Sequence, residues 1–363
     1  MPKSGGDLGP RRKEGKDLIL LKGKEDTRAQ GLLAALGGKK ALLVLTHTNP
    51  DPDGMASGFA LGWLVEKTLG IPATLAYQGD IFRAENKAMV KVLELPLVPM
   101  EKVDAERFDG LALVDTQPGF GHTVLPEGSF PDVVVDHHVS PGGMDALDLP
   151  FVDIRPEVGA TSSILTEYFH ELDVEIPVRV ASALYYGIRT DTADLSRNVS
   201  ELDKKAHLDL YPLVDREALR AVTNPTVTTS YFQALRKALT TARIYGSVII
   251  CSLRRTDNPE MVAEVADLFL RLEGISWVVC GGFYNGVYYL SVRAAERKGK
   301  DAWLLLKDVL KGEGTFGGHG SVAGGRISTV DDSDRGLRRL ENRLKRSFLE
   351  VLGERGSTPR KLG

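Results

Sequence analysis

Two rhythms of polar and apolar positions alternate along the first two hundred residues. Short unbroken apolar runs, such as Ala41 to Leu45, Leu111 to Val114 and Val133 to Val135, sit between glycine, proline and charged residues and read as buried strands. Longer stretches between them repeat apolar residues three or four positions apart, which is helical spacing. The pattern predicts strands at 41–47, 73–77, 110–115 and 132–136, and helices near 54–69, 85–93, 161–171, 178–189 and 201–211. Strands alternating with helices argue an α/β fold with a doubly wound, mostly parallel sheet. Farther along come a strand at 247–253, a helix at 259–272, strands at 276–284 and 287–293 joined by Asn285-Gly286, a helix at 302–311, a glycine-rich loop and a last helix. Asn-Gly is the residue pair of a tight hairpin turn. This second part reads as a smaller α/β domain, with a cleft between the two.

The domain boundaries follow from composition. Residues 1–30 are rich in Gly, Lys, Arg and Asp and read as a mobile basic tail; the first domain spans 31–219 and the second 241–363. The β-branched, polar stretch RAVTNPTVTTS interrupts helical spacing and sets a linker at 220–240. A chain of 363 residues, 42% hydrophobic and 26% charged, is long enough for two sizeable cores. Its net charge of −3 offers no overall field for long duplex nucleic acid, so a small anionic substrate fits better. No apolar run has the ~20 residues of a membrane span, and the first residues lack a signal peptide's apolar segment, so a cytoplasmic location without a membrane partner is expected. Cys251 and Cys280 lie in apolar runs without metal-ligand spacing or a disulfide framework and read as buried structural thiols.

Carboxylates and imidazoles collect where the apolar runs end. HTNPDPDGMAS holds His47, Asp51 and Asp53 on one strand-to-helix turn, stiffened by Pro50 and Pro52, with Ser57 and the amides of Gly54 to Ser57 at a positive helix end. Asp115 follows GLALV, Asp136-His137-His138 follows PDVVV, and Asp191 follows ASALYYGI in the segment RTDTADLSRN, read as a loop. Open α/β sheets place ligands beyond the carboxyl ends of their strands, so the four segments are expected to converge. Hard oxygen ligands with a few imidazoles suit Mn²⁺ or Mg²⁺, and two such ions can activate water for attack on phosphorus.

At these residues the chain resembles the DHH phosphoesterase superfamily, whose motifs match HTNPDPDGMAS, LVDTQ, VDHHVS and GIRTDT in order. FGGHGSVAGGR at 316–326, with SVR at 291–293, looks like the signature of the DHH-associated substrate-binding domain, although Phe316 stands where many relatives carry a third glycine. The resemblance covers about residues 40–330 and extends to nano-RNases (oligoribonucleases), phosphoadenosine-phosphate phosphatases and cyclic-dinucleotide phosphodiesterases. It implies two Mn²⁺, with Mg²⁺ or Co²⁺ as substitutes: His47, Asp51 and Asp115 on one ion and Asp53, Asp115, His137 and Asp191 on the other. His138 would contact the scissile phosphate and Asp136 would orient the histidines. Ser57 is expected either behind the metal ligands or at the phosphate, and Arg293, His319 and the amides of Gly317, Gly318, Gly324 and Gly325 on the substrate phosphate or the terminal nucleotide.

The expected activity is hydrolysis of a short oligonucleotide or dinucleotide such as pApA to nucleoside 5′-monophosphates, with 3′-phosphoadenosine 5′-phosphate as a second substrate. A cyclic-di-AMP phosphodiesterase is the nearest alternative, and a non-catalytic nucleotide sensor, which would have lost a metal ligand, is the alternative from another class. A pyrophosphatase shares the first domain only. Substrate length, cleavage polarity, RNA or DNA preference and a homodimer stay open. The basic last helix, with Leu337, Leu340, Leu344 and Phe348 on one face, reads as a docking helix, and Tyr284, Tyr288 and Tyr289 either stack bases or pack the core. His122, His170 and His207 fall outside every motif and read as structural or surface residues.

Overall fold

A computed structural model of the chain describes residues 27–139, 149–295, 301–328 and 331–362. The first domain runs α1 (Arg28–Leu36), β1 (Leu42–Leu45), α2 (Pro52–Leu69), β2 (Ala73–Tyr77), α3 (Ala84–Val92), β3 (Leu97–Pro99), β4 (Gly110–Val114), β5 (Val133–Asp136), β6 (Phe151–Ile154), α4 (Thr161–Glu171), α5 (Val178–Asp191), α6 (Glu201–Leu210) and α7 (Arg216–Thr223). The second runs α8 (Thr229–Thr241), β7 (Arg243–Tyr245), β8 (Val248–Arg255), α9 (Met261–Leu270), β9 (Trp277–Tyr284), β10 (Val287–Ala294), α10 (Ala302–Leu310), β11 (Thr315–His319), β12 (Val322–Ile327), α11 (Asp334–Val351) and β13 (Arg360–Lys361).

The six strands of the first sheet are parallel in the order β3-β2-β1-β4-β5-β6. The chain winds outward from β1 to one edge, then returns to β4 and winds to the other. Between the carboxyl ends of β1 and β4 lies the switch point, where such sheets hold ligands. Every residue of β1, β4 and β5 is buried, which accounts for their unbroken apolar sequences. Alternate residues such as Val44, Val114 and Val135 pack on the helices, including Leu61 of α2 and Tyr168 of α4. The other face, with Leu43, Leu113 and Val134, is covered by Met100, Val103 and Phe108 from the turns that lead to β4.

The second sheet is mixed, in the order β11-β12-β10-β9-β8-β7-β13, with β8 and β9 parallel. Asn285 (φ 46°) and Gly286 (φ 84°) turn β9 into β10 as the sequence predicts. Leu337, Leu340, Leu344 and Phe348 bury the apolar stripe of α11 against it. The domains meet where Arg83 pairs with Glu260 (3.3 Å), Asn258 donates to the Phe82 carbonyl (3.5 Å) and Phe82 sets its ring edge-on to Tyr284.

Three expectations change. Residues 1–26 of the expected tail lie outside the described residues, but 28–30 already belong to α1, whose start is fixed by a capping box between Thr27 and Gln30. The expected linker at 220–240 contains the end of α7 and most of α8, so the extended connection is confined to 224–228. The glycine-rich stretch expected as a loop is a hairpin of β11 and β12, and β12 pairs onward with β10.

Candidate metal and phosphoester site

The side chains that the sequence places after separate strands come together above the switch point. His47 follows β1 and turns Nε2 to within 3.5 Å of Asp115 Oδ2 and 3.7 Å of Asp51 Oδ1. His137 follows β5, with Nε2 3.5 Å from Asp115 Oδ1 and 3.0 Å from Asp191 Oδ2. Three sets of donor atoms, each within 4.8 Å, result: His47 with Asp51 and Asp115, Asp53 with His137 and Asp191, and Asp115 with His137 and His138. Asp115, following β4, belongs to two of them and has left-handed backbone, φ 57°, with its amide donating to the Val135 carbonyl (2.9 Å). A non-glycine residue in that region is held at a cost, and such positions concentrate at functional sites.

Helix ends position the remaining carboxylates. Asp51 caps α2, accepting from the amides of Asp53 and Gly54 at 3.0 Å each. The helix therefore starts at Pro52, and Asp53 lies in its first turn, aimed at the start of α4. There Thr161 N (2.7 Å) and Ser162 N (2.9 Å) donate to the two Asp53 oxygens, while Thr161 Oγ1 donates to Asp115 (3.0 Å). Asp191 occupies the last turn of α5 rather than a loop. Two glycines make this proximity possible: a Cβ on Gly54 would lie 2.3 Å from Thr46 Oγ1, and one on Gly187 would lie 2.5 Å from Ser162 Oγ and 3.1 Å from Asp53.

Asp136 is fully buried and works behind the cluster. Its Oδ1 accepts from the amides of His137 and His138 and lies 2.9 Å from His138 Nδ1, while Oδ2 accepts from Gln117 Nε2 at 2.8 Å. Gln117 Nε2 also donates to the His138 carbonyl (2.9 Å). With Nδ1 committed to Asp136, His138 keeps Nε2 for another partner, and 38% of its side chain is exposed. Phe120 stands edge-on to this ring, and His122 edge-on to His47, on a loop tied down by Thr48 N donating to the His122 carbonyl (2.8 Å).

Burial, then the charges of Asp115 and Asp191, hold the Asp53 carboxyl well above its usual range; burial and Asp51 raise Asp115. For His47, burial favours the neutral ring but is overcome by Asp115 and Asp51; for His137 it is overcome by Asp191, Asp115 and Asp53, which push the value up to about 11. Each group is being offered more negative charge than its neighbours relieve. His137 Nε2 is also buried without a hydrogen-bond partner, because Asp191, though near, lies outside hydrogen-bonding geometry. An inward ring nitrogen with Asp53, Asp115 and Asp191 around it fits hard divalent cations, which the chemistry of this donor set favours over thiolate-seeking ions.

Other expected site residues lie elsewhere or are already engaged. Ser57 is wholly buried and donates to the Gly54 carbonyl (3.3 Å), because the early start of α2 carries it into the second turn on the core side. The Gly54 amide is likewise taken by Asp51. Arg293 is 7% exposed, paired with Asp267 and bonded to Ser291 Oγ (2.7 Å) and the Val292 carbonyl (3.2 Å), so it is not an open anion site. Gly324 and Gly325 lie in a strand paired on both sides, which engages their backbone in the sheet, whereas Gly317 and Gly318 are on the edge strand. Gly318 (φ 136°) admits no side chain, since a Cβ would lie 2.3 Å from the Val322 carbonyl. His319 ends β11 opposite Val322.

One face of β10–β12 joins Tyr289, Gly317 and Gly324 to Arg326, to which the sequence assigned no role. The register puts Tyr289 beside Arg326 and Ser291 beside Gly324, with Gly317 next in line. Arg326 is exposed and lies 5.7 Å over the Tyr289 ring, and the charge of Asp80 in the first domain reaches Tyr289. Asp80 donates its amide to Asn49 (2.8 Å), in the loop that carries His47 and Asp51. Tyr288, on the alternate face, is core, and Tyr284 and Tyr289 are half-buried. His170 and His207 stay away from the cluster, His207 beside Tyr185 and His170 near Asp209.

Compared with known proteins, the profile of the DHH family N-terminal domain matches residues 41–188, the span that holds all the clustered ligands but Asp191. An uncharacterized protein of Methanocaldococcus jannaschii, MJ1633, is 34% identical over 343 residues, covering 92% of this chain and 69% of its own. A probable manganese-dependent inorganic pyrophosphatase of Streptococcus pyogenes is 28% identical over 159 residues, 42% of this chain and 48% of its own. The solved structure of an exopolyphosphatase-related protein from Bacteroides fragilis superposes with a TM-score of 0.69 at 14% identity, covering 88% of this chain and 97% of that one; this likeness is one of fold.

Proposed function

Because the chain belongs to the DHH family, we propose that it is a manganese-dependent phosphodiesterase of the oligoribonuclease type, cleaving dinucleotides such as pApA and other very short oligonucleotides to nucleoside 5′-monophosphates, with 3′-phosphoadenosine 5′-phosphate as a second substrate. The observation that carries this reading is the position of Asp115. It lies between the His47–Asp51 set and His137, which is itself grouped with Asp53 and Asp191, so it would be a ligand available to both of two cations held there. Manganese is favoured by the hard donor set and by the pyrophosphatase relative, which is named as manganese-dependent.

Cations bound there supply Lewis acidity toward water and the phosphoryl oxygens. The remaining work falls to the chain. Asp136 and Gln117 hold His138 so that Nε2 can donate to a phosphoryl oxygen as charge develops on it. Gly54 and Gly187 let α2 and α5 approach closely enough for Asp53 and Asp191 to share the site. On the second domain Tyr289 offers a ring face for a base, Arg326 offers a cation for the far phosphate, and the bare strand at Gly317 and Gly324 gives room for a ribose. A substrate that touches both domains is short, and a net charge of −3 provides no general attraction for a long strand.

The test is a product time course with Mn²⁺ and, in parallel, pApA, a five-nucleotide RNA, cyclic-di-AMP, 3′-phosphoadenosine 5′-phosphate and inorganic pyrophosphate. Fastest turnover of pApA, with AMP as product, is expected. Preference for pyrophosphate or for the cyclic dinucleotide would overturn the substrate assignment, and inactivity on all five with metal bound would overturn the enzymatic reading.

A further inference from the structure

The chain's two cysteines are side by side in the second domain. β8 and β9 run parallel with Cys251 registered directly against Cys280, and the two sulfurs lie 3.1 Å apart. That is closer than the 3.5–4.0 Å or so of an ordinary heavy-atom packing contact. Cys251 is 4% exposed and Cys280 fully buried. Among the described residues, every cluster with metal-ligand geometry lies in the first domain, so the pair has no third and fourth ligand to make a soft-metal site.

We propose that Cys251 and Cys280 are a modification site, closing to a reversible disulfide within the second domain. Neighbouring strands lie about 4.8 Å apart, inside the 4.4–6.8 Å range of Cα separations that a disulfide spans. Closure therefore needs the sulfurs to approach by roughly 1 Å, through side-chain rotation with the strands in place. The oxidant is a hydroperoxide. Cys251, at 4% exposure, is the less buried of the two thiols and so the one that a peroxide entering the domain meets first. Cys251 attacks the peroxide O–O bond, becoming a sulfenic acid and releasing water. Cys280 Sγ then attacks that sulfur, the S–S bond forms and a second water leaves. Two thiols thus lose two electrons and two protons, and one hydrogen peroxide becomes two waters. Burial, and then the neighbouring thiol, holds the Cys280 pKa well above its ordinary value, so before oxidation this partner is a protonated thiol. The bond ties β8 to β9, next to the strand that carries Tyr289 and Arg293.

The full chain is treated with hydrogen peroxide, quenched, and read by denaturing intact mass, thiol titration and peptide mapping. The intact mass is expected to fall by two hydrogens, the two titratable thiols to disappear, and one peptide pair to be joined through Cys251 and Cys280. Dithiothreitol should reverse all three. Closing the intervening loop should raise the second domain's melting temperature by roughly 5 °C or more. Cys251→Ala and Cys280→Ala should each abolish the loss of two hydrogens. Two thiols persisting in the treated wild type would overturn the proposal, as would an intermolecular dimer or oxygen addition without cross-linking. The wild-type readings decide the matter even where a variant folds poorly, and none of them depends on hydrolysis.

Discussion

Gln117 lies outside the clustered ligands, yet its replacement by alanine should weaken both the fold and the chemistry. Gln117 Nε2 donates to Asp136 Oδ2 at 2.8 Å and to the His138 carbonyl at 2.9 Å, in a region where Asp136 has no exposure. Hydrogen bonds to charged groups contribute ~1.5–3 kcal/mol and neutral ones about 1, so Gln117→Ala should cost about 2–4 kcal/mol. For a domain of this size that is a fall in melting temperature of roughly 5–15 °C. Despite burial, the His138 ring and then Gln117 hold the Asp136 carboxyl below its usual range, so its stabilisation is full above the unfolded pKa and is lost as pH falls through the folded one. The gap between wild type and variant should therefore narrow below pH about 4. Because Asp136 fixes His138 Nδ1, kcat should also drop ~10-fold or more, with metal content unchanged. Thermal melts across pH, metal analysis and hydrolysis rates, repeated in a His138→Ala background, separate the two effects. If Gln117→Ala melts within a degree or so of wild type, or if its kinetic loss multiplies in full with that of His138→Ala, the glutamine does not act through Asp136 and His138.

Asp115→Asn should abolish hydrolysis and lower bound metal; more than a few per cent of activity with full metal content would exclude a shared ligand. Mn²⁺ should raise the melting temperature more at pH 8 than at pH 6, because the ligands must be deprotonated to bind, and an equal rise at both would count against this donor set. Burial, aided by Glu85 and Glu260, pushes Glu264 up to about 7 at the domain contact, so the folded state holds an extra proton between the unfolded pKa and about 7 and stability falls as pH rises across that window. Glu264→Gln should flatten that fall in melts from pH 5 to 8, and an unchanged slope would refute the assignment. Arg326→Ala should raise KM for pApA by ~10-fold, the size of one charge-assisted contact, while leaving hydrolysis of bis-p-nitrophenyl phosphate near wild type; equal losses on both would put Arg326 in the chemical step.

The parts of this fold that were legible in the sequence are those where side chains set the pattern. β1, β4 and β5 are buried on both faces and so carry unbroken aliphatic runs, and the ligands that follow them mark the switch point in the sequence itself. The parts that were missed are held by the backbone. Asp53 is gripped by two amides of α4, and an amide leaves no trace in the identity of Thr161 or Ser162. The β11–β12 hairpin is built on glycines, which have no side chains to alternate, so a strand pair read as a loop. Ser57 went wrong by its phase: the cap at Asp51 starts α2 two residues early and turns the serine inward. Arg293 has the residue type of a phosphate ligand, but its ion pair with Asp267 lies 26 residues away in sequence and has no local signature.

The same division explains how so acidic a cluster is tolerated. Gathering Asp51, Asp53, Asp115 and Asp191 in a buried site costs desolvation as well as mutual repulsion, which is why Asp53 and Asp115 are driven toward their protonated forms. The first turns of two helices oppose that cost directly: α2 turns its amides to Asp51 and α4 turns its own to Asp53, each adding the positive end of a helix dipole. Asp115 has no such helix end and receives the Thr161 hydroxyl and nearby histidines instead, while its backbone is forced into the left-handed region. It is the carboxylate most central to the donor sets, although Asp53 is driven further toward its protonated form. A cation placed at Asp115 would offset the repulsion that raises both Asp115 and Asp53, so the position chemically suited to be shared by two metals is also one where binding metal stabilises the protein.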